Sequence, residues 1–169
     1  MQLLCALTLL VALVPGTQAR RPDQTAPTTS KPAAKAAAPA AKGARTVELT
    51  GGDDMKFNLT QIAAKPGETI HVVLKNVGTI PKIAMAHNFV VLTLAADPAE
   101  FNKASANARD TDYVPQDKKA QIVAATKLAG PTETVEVTFK APAKAGSYPY
   151  MCTFPGHYAA GMKGQLVVK

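Results

Sequence analysis

The stretch Cys152-Thr-Phe-Pro-Gly-His157-Tyr-Ala-Ala-Gly-Met162 is the most informative part of this chain. It places a thiol, an imidazole and a thioether on one loop between two strand-like runs. Turns at Pro155-Gly156 and Gly161 let the three side chains converge on one point. A second imidazole is available at His87, which opens an apolar run upstream. Because the sequence holds 3 histidines, elimination nearly selects His87 as the fourth donor.

These four donors predict a copper site. Two imidazoles and one thiolate in a plane, with a weak axial thioether, suit both Cu(I) and Cu(II) with little rearrangement. We therefore expect one copper ion per chain, held by His87, Cys152, His157 and Met162, and a role in carrying single electrons. Each residue alone has an ordinary alternative, since cysteine and methionine also fill cores and histidines also occupy exposed loops. The occurrence of all four donors together is what favours a copper site.

The beginning of the chain predicts export. An apolar run from Leu3 to Val14, a Pro15-Gly16 break and small residues at the two positions that signal peptidase reads, Thr17 and Ala19, are typical of a signal peptide over residues 1–19. Lipid attachment at Cys5 is a weaker alternative, since that cysteine lies inside the apolar run. Export would leave Cys152 as the one cysteine of the mature chain, without an intramolecular disulfide partner.

Residues 20–45 are predicted to be a disordered Ala/Pro/Lys-rich linker, because they hold almost no large apolar side chain. This segment carries six basic residues and one acidic residue, whereas residues 46–169 carry 13 and 11. The basic character thus belongs to the tail, and the folded part offers no basic face for nucleic acid. Either a solvated spacer or loose association with an anionic membrane or cell wall would suit the tail. The expected location is periplasmic or otherwise extracytoplasmic, with membrane association left open.

Residues 46–169 are predicted to form one all-β domain, a Greek-key β-sandwich of about eight strands with one short helical insertion. Strands are expected over 46–50, 56–62, 69–77, 88–94, 121–128, 132–139, 146–152 and 164–169. Asp97-Pro98 starts the helix, with an N-cap residue and proline in its first turn. In the third strand Ile70, Val72 and Leu74 share the core face, which leaves His71 on the exposed face.

The ligand motifs carry a family resemblance. Cys152-Thr-Phe-Pro-Gly-His157, followed by Met162 and Lys163-Gly164-Gln165-Leu166, resembles the azurin and auracyanin group of blue copper proteins. The segment from Pro81 to Val90 is similar to the other ligand strand of that group. The resemblance covers most of residues 46–169 and implies the cupredoxin sandwich and electron carriage by one copper ion.

The resemblance also implies roles for residues around the metal. Asn88 is expected to tie the two ligand segments together, and backbone N–H groups of Asn88 and Phe154 to point at the thiolate. The carbonyl of Ala86 is a candidate for a weak contact with copper. Redox partner proteins, both donors and acceptors, would dock on an apolar rim near His157. That rim is expected to contain Ile80, Met85, Phe154, Ala159 and Ala160.

Two other functions remain open at this point. A copper storage or delivery module would use the same sulfur and imidazole ligands. A thiol enzyme would use Cys152 with a histidine base, but the loop contains no acidic residue to orient that base. The sequence therefore favours a protein that is not an enzyme.

Overall fold

The computed structural model describes residues 43–169. The predicted signal peptide and the linker up to residue 42 lie outside the described residues. The described part contains eight strands, two α-helices and two 3-10 helices. The strands are β1 (Arg45–Gly51), β2 (Gln61–Ala64), β3 (Thr69–Asn76), β4 (Val90–Leu92), β5 (Ile122–Ala125), β6 (Thr134–Lys140), β7 (Gly146–Met151) and β8 (Lys163–Val168). The helices are α1 (Pro98–Ser105) and α2 (His157–Ala160), with 3-10 turns at Arg109–Thr111 and Gln116–Gln121.

The strands form two sheets that face each other. One sheet has the order β1-β3-β6 and the other the order β2-β8-β7-β4-β5. Most neighbours are antiparallel, but β1 runs parallel to β3 and β2 runs parallel to β8. The predicted all-β sandwich is confirmed, and the two parallel pairs are a feature that the strand pattern did not indicate. The parallel pairs arise because consecutive strands lie in different sheets: β1 and β3 belong to one sheet, and β2 between them belongs to the other.

The core lies between the sheets. Leu49, Ile70 and Leu74 of the smaller sheet are fully buried, and they belong to one cluster with Tyr150 and Leu166 of the larger sheet. Burial at alternate positions of β3 follows from the period of two in strand side chains. The predicted core face of this strand is therefore confirmed.

The larger sheet is covered on its other face as well. Helix α1 places Phe101 in a second cluster with Val90, Leu92 and Met151. This explains why Val90 and Val91 are both fully buried, although neighbouring strand residues point to opposite faces. The side chain of Asp97 accepts hydrogen bonds from the backbone of Ala99 and Glu100, so the predicted N-cap is confirmed.

Two sequence-based expectations were wrong. The strand predicted over 56–62 is regular only from Gln61, and Phe57 forms an isolated bridge with Gly51. The reason is local pairing, since the Asn58 side chain accepts a hydrogen bond from the backbone N–H of Thr50. His71 was expected to be exposed, yet it is 6% exposed. Its Nε2 lies 2.9 Å from a carboxylate oxygen of Glu136 on the neighbouring strand β6, a cross-strand contact that the pattern of β3 alone does not reveal.

The first strand, β1, begins at Arg45, one residue before the strand predicted over 46–50. Among residues 43–169, no helix combines the length and apolar character that crossing a membrane requires.

We predict that Gly164→Ala destabilises the domain by about 2 kcal/mol, as overpacking of a tight core does. The Tyr150 ring lies across Gly164, and its hydroxyl donates to the carbonyl of Leu59 at 2.7 Å. A Cβ at position 164 would overlap that ring and lie 2.5 Å from the carbonyl oxygen of Thr60. Urea unfolding of the metal-free protein measures the loss.

Gly52→Ala is the matched control for this prediction, because a Cβ there meets its nearest atom at 3.3 Å. The Gly52 variant should unfold close to the wild type. Equal stability of the Gly164 variant and the wild type would show that the ring of Tyr150 is not fixed against β8.

Candidate metal centre

The predicted ligands converge because three neighbouring strands meet at one edge of the larger sheet. Antiparallel pairing sets Val90 opposite Met151, and Met151 opposite Lys163. The start of β4, the end of β7 and the start of β8 therefore lie side by side. His87 precedes the first of these ends, Cys152 follows the second, and Met162 precedes the third.

The connection from Cys152 to Met162 brings His157 back over this edge. His157 opens the four-residue helix α2, which lies between Gly156 with φ of 86° and Gly161 with φ of 96°. Only glycine adopts such left-handed backbone conformations without strain. The predicted turns at both glycines are thus present, although the segment between them is a helical turn and not an irregular loop.

Three donor atoms form a compact buried triangle. Nδ1 of His87 lies 3.2 Å from Nδ1 of His157, and the Cys152 sulfur lies 3.4 Å from the same Nδ1 of His157. The donor atoms of the three residues all lie within 4.8 Å of one another, and none of the three side chains is more than 2% exposed. With bonds of about 2.0 Å to nitrogen and about 2.3 Å to sulfur, donors around one metal ion stand roughly 3.5 Å apart. The triangle therefore fits a single ion.

The protonation states of the histidines suit metal binding. Burial, and then the neighbouring charge of His87, lower the pKa of His157 to about 4. Burial also lowers the pKa of His87. Both imidazoles are consequently neutral at pH 7, and a neutral imidazole has a nitrogen lone pair to donate.

When no metal is bound, the buried thiol of Cys152 stays protonated at neutral pH. Burial raises its pKa to about 12, while hydrogen bonds from the backbone N–H groups of Asn88 and Phe154 act in the opposite direction. A thiol that stays protonated and buried is a poor nucleophile, which disfavours the thiol-enzyme interpretation. A metal ion would displace its proton on binding.

Met162 and Ala86 lie at the same site. Met162 is fully buried; its backbone N–H donates to His157 at 2.9 Å, and its carbonyl accepts from Cys152 at 3.0 Å. The Ala86 carbonyl oxygen lies 3.9 Å from the Cys152 sulfur, so it faces the site. Their contacts with copper remain predictions.

Asn88 joins the two ligand segments. Its side-chain oxygen accepts a hydrogen bond of 2.8 Å from the backbone N–H of Thr153, beside Cys152. Its side-chain nitrogen donates to the Thr153 hydroxyl at 2.8 Å and to the carbonyl of Asp112 at 2.9 Å. One buried amide thus fixes the His87 segment, the Cys152 segment and the loop around Asp112 relative to one another.

Sequence reasoning missed several residues that build this site. Thr153 and Thr126 are buried, and the Thr126 hydroxyl accepts from the N–H of Phe89 at 2.9 Å. Threonine inside an apolar segment is the signal that could have indicated them, because a buried hydroxyl needs a partner. Gly51 on β1 also packs against the site, and nothing in its sequence context indicates this.

A two-sheet β-sandwich with a buried His-Cys-His triangle and a methionine at one sheet edge defines a small copper-binding protein. The family model for copper binding proteins of the plastocyanin/azurin family matches residues 44–169. The chain belongs to this family, its fold is the cupredoxin fold, and copper is its cofactor.

Individual relatives agree with this assignment. The chain is 37% identical over 127 residues to azurin from Pseudomonas denitrificans, covering 73% of this chain and 98% of that protein. It is 41% identical over 128 residues to outer membrane protein H.8 from Neisseria meningitidis, covering 74% of this chain and 67% of that protein. The solved structure of auracyanin A, described as a "blue" copper protein from Chloroflexus aurantiacus, superposes with a TM-score of 0.67 at 38% identity. That match covers 75% of this chain and 100% of the other.

We predict that Asn88→Ala lowers the stability of the metal-free protein by about 2–4 kcal/mol. The substitution leaves the buried backbone N–H and hydroxyl of Thr153 without their Asn88 partner, and each unpaired buried group costs about 1–3 kcal/mol. Denaturant unfolding gives the difference. Asn107→Ala, at an exposed asparagine, is the control and should change little. If both variants unfold alike, Asn88 does not hold the ligand segments together.

Proposed function

We propose that this chain is a type 1 copper protein that carries single electrons between redox partners. In this proposal His87, Cys152, His157 and Met162 would hold the copper ion, with the Met162 thioether as the weakest of the four donors. The observation that carries the proposal is the buried triangle of donor atoms, with sides of 3.2 and 3.4 Å to His157. When bound, copper supplies the one-electron couple.

The chain's own contribution is to hold the donors still and exclude water. Two hydrogen bonds, of 3.0 and 2.8 Å, pair His87 with Ala129. The backbones of Cys152, His157 and Met162 are hydrogen-bonded to one another, as described above. Donors fixed in this way rearrange little between oxidation states, which favours rapid electron exchange. The N–H groups of Asn88 and Phe154 are proposed to tune the thiolate, and the carbonyl of Ala86 would make a weak contact with the metal.

The burial of the proposed ligands favours electron carriage over copper storage or delivery. A delivery module must present its metal to an acceptor, whereas His87 and Cys152 have no exposed surface and His157 is 2% exposed. Ligand exchange with another protein would require opening of the site. Electron transfer, in contrast, requires no such opening of the site. We infer accordingly that the protein is a carrier and not an enzyme.

We predict that the copper-loaded protein is intensely blue and loses its colour with ascorbate. A covalent copper–thiolate bond gives a strong visible absorption band in the oxidised state, so Cys152→Ser should abolish the colour. Absorption and electron paramagnetic resonance spectra of both proteins test this. His71→Ala, which removes the histidine outside the ligand set, is the control and should leave the spectrum unchanged. A colourless oxidised wild-type protein with bound copper would contradict the proposal.

The proposed partner-binding face surrounds the segment that leads to His87. Val77, Ile80 and Ile83 are 55%, 36% and 79% exposed, and they are three of the four large hydrophobic residues exposed in the described part of the chain. The Phe154 ring packs against the His157 ring at a centroid distance of 4.9 Å and an interplanar angle of 49°, but Phe154 is itself buried and not exposed as predicted for the rim. We therefore extend the proposed rim to include Ile83.

We predict that Ile83→Lys slows electron self-exchange between the reduced and oxidised forms several-fold. Two copies must meet through the face near the metal, and the substitution places like charges opposite each other there. Broadening of nuclear magnetic resonance lines in mixtures of the two forms measures this rate. Leu94→Lys adds the same charge beside Gly146, at the far end of β7, and serves as the control. Equal slowing by both variants would place the encounter surface elsewhere.

We further propose that the protein acts outside the cytoplasmic membrane. The supporting features are the signal-peptide pattern of residues 1–19 and the relative named outer membrane protein H.8. The basic, proline-rich segment that follows would serve as a spacer or as a loose contact with an anionic surface. Fractionation of cells that express the full chain would test this location.

A further inference from the structure

Gly51, the last residue of β1, lies against two of the proposed ligands. A Cβ atom built at this position would stand 2.5 Å from the terminal methyl carbon of Met162. It would also stand 3.0 and 3.2 Å from Cδ2 and Cγ of the His87 ring. Distances below 3.0 Å between such carbon atoms are not tolerated, so any side chain at position 51 must displace one of these groups.

The requirement for glycine here is one of space and not of backbone conformation. The glycines with positive φ are Gly43, Gly67, Gly156 and Gly161, and Gly51 is not among them. The backbone of Gly51 would therefore accept other residues. Glycine in a strand carries an entropic cost and is most useful where another group approaches closely.

The backbone at Gly51 has little freedom to withdraw. It pairs with Asn76 on β3, forms a bridge with Phe57 on its other side, and accepts a hydrogen bond of 2.9 Å from Val77. The backbones of Met162 and His87 are also held by the hydrogen bonds described above. The clash must consequently be relieved by side chains. The methyl group of Met162 is the end of a flexible chain and yields first, whereas the His87 ring is confined.

We propose that Gly51 is a positioning residue for the copper site, which fixes the thioether of Met162 against the His87 ring. This inference rests on the proposed function, because it treats both residues as ligands. The position of the axial ligand tunes the reduction potential of such sites. Gly51 thus acts on the metal through Met162, from a strand of the opposite sheet, without contributing a donor atom.

The first test compares Gly51→Ala with Gly52→Ala in copper-loaded protein. In the Gly51 variant we expect a changed ratio of the two main visible absorption bands, a changed copper hyperfine splitting and a shifted reduction potential. Gly52→Ala should match the wild type, because its Cβ meets no atom closer than 3.3 Å. A Gly51 variant with wild-type spectra and potential would overturn the inference while leaving the proposed function intact. A wild-type protein that is not blue would instead remove the proposed function.

The second test is independent of copper and uses a double-mutant cycle in the metal-free protein. Alone, Gly51→Ala should raise the equilibrium constant for unfolding by about tenfold, as modest overpacking does. Combined with Met162→Ala, which removes the methyl group, it should raise that constant by less than about threefold relative to the Met162 variant. If Gly51→Ala fails to fold alone, recovery of folding in the double variant supports the inference. Additive effects, or a double variant that stays unfolded, would overturn it.

Discussion

The antiparallel register of β4, β7 and β8 is the constraint on which the rest of this structure depends. It sets Val90, Met151 and Lys163 side by side, so three chain ends lie at one sheet edge. Residues far apart in sequence thereby deliver donor atoms to one point. A slip of one residue in either pairing would turn every side chain to the other face. Fully buried residues on both faces of β4 oppose such a slip, because it would exchange well-packed side chains on both sides at once.

The same register requires polar groups to be buried at the sheet edge, which is costly unless they find partners. The fold meets this cost in two ways. Asn88, Thr153 and Thr126 pair with one another or with backbone groups. His157 and Cys152 instead stay uncharged, since burial lowers one pKa and raises the other. A metal ion would be a shared partner for Nδ1 of His87, Nδ1 of His157 and the sulfur of Cys152, so metal binding and fold stability would be linked.

The cluster of Cys152 and His157 could be predicted from sequence because both lie in a short motif, and His87 could be added because histidines are rare in this chain. Strand periodicity likewise gave the buried face of β3, since Ile70, Val72 and Leu74 alternate. The burial of His71 and the contacts of Asn88 could not be predicted, because both depend on segments that are distant in sequence. His71 appeared exposed on its own strand, but Glu136 on β6 covers it. The hydrogen bonds of Asn88 join segments 65 residues apart, and no local pattern encodes such a contact.

Gly51 illustrates why a site of this kind involves both sheets. The motif residues flank strands of the five-stranded sheet, whereas Gly51 ends a strand of the three-stranded one. Its missing side chain leaves room for the methyl group of Met162 and the ring of His87 at the point where the two sheets meet. Because the sheets pack through one continuous core, a change in their spacing would be felt at this contact. The arrangement of the donor side chains therefore depends on the packing of the whole sandwich, and not on the loop from Cys152 to Met162 alone.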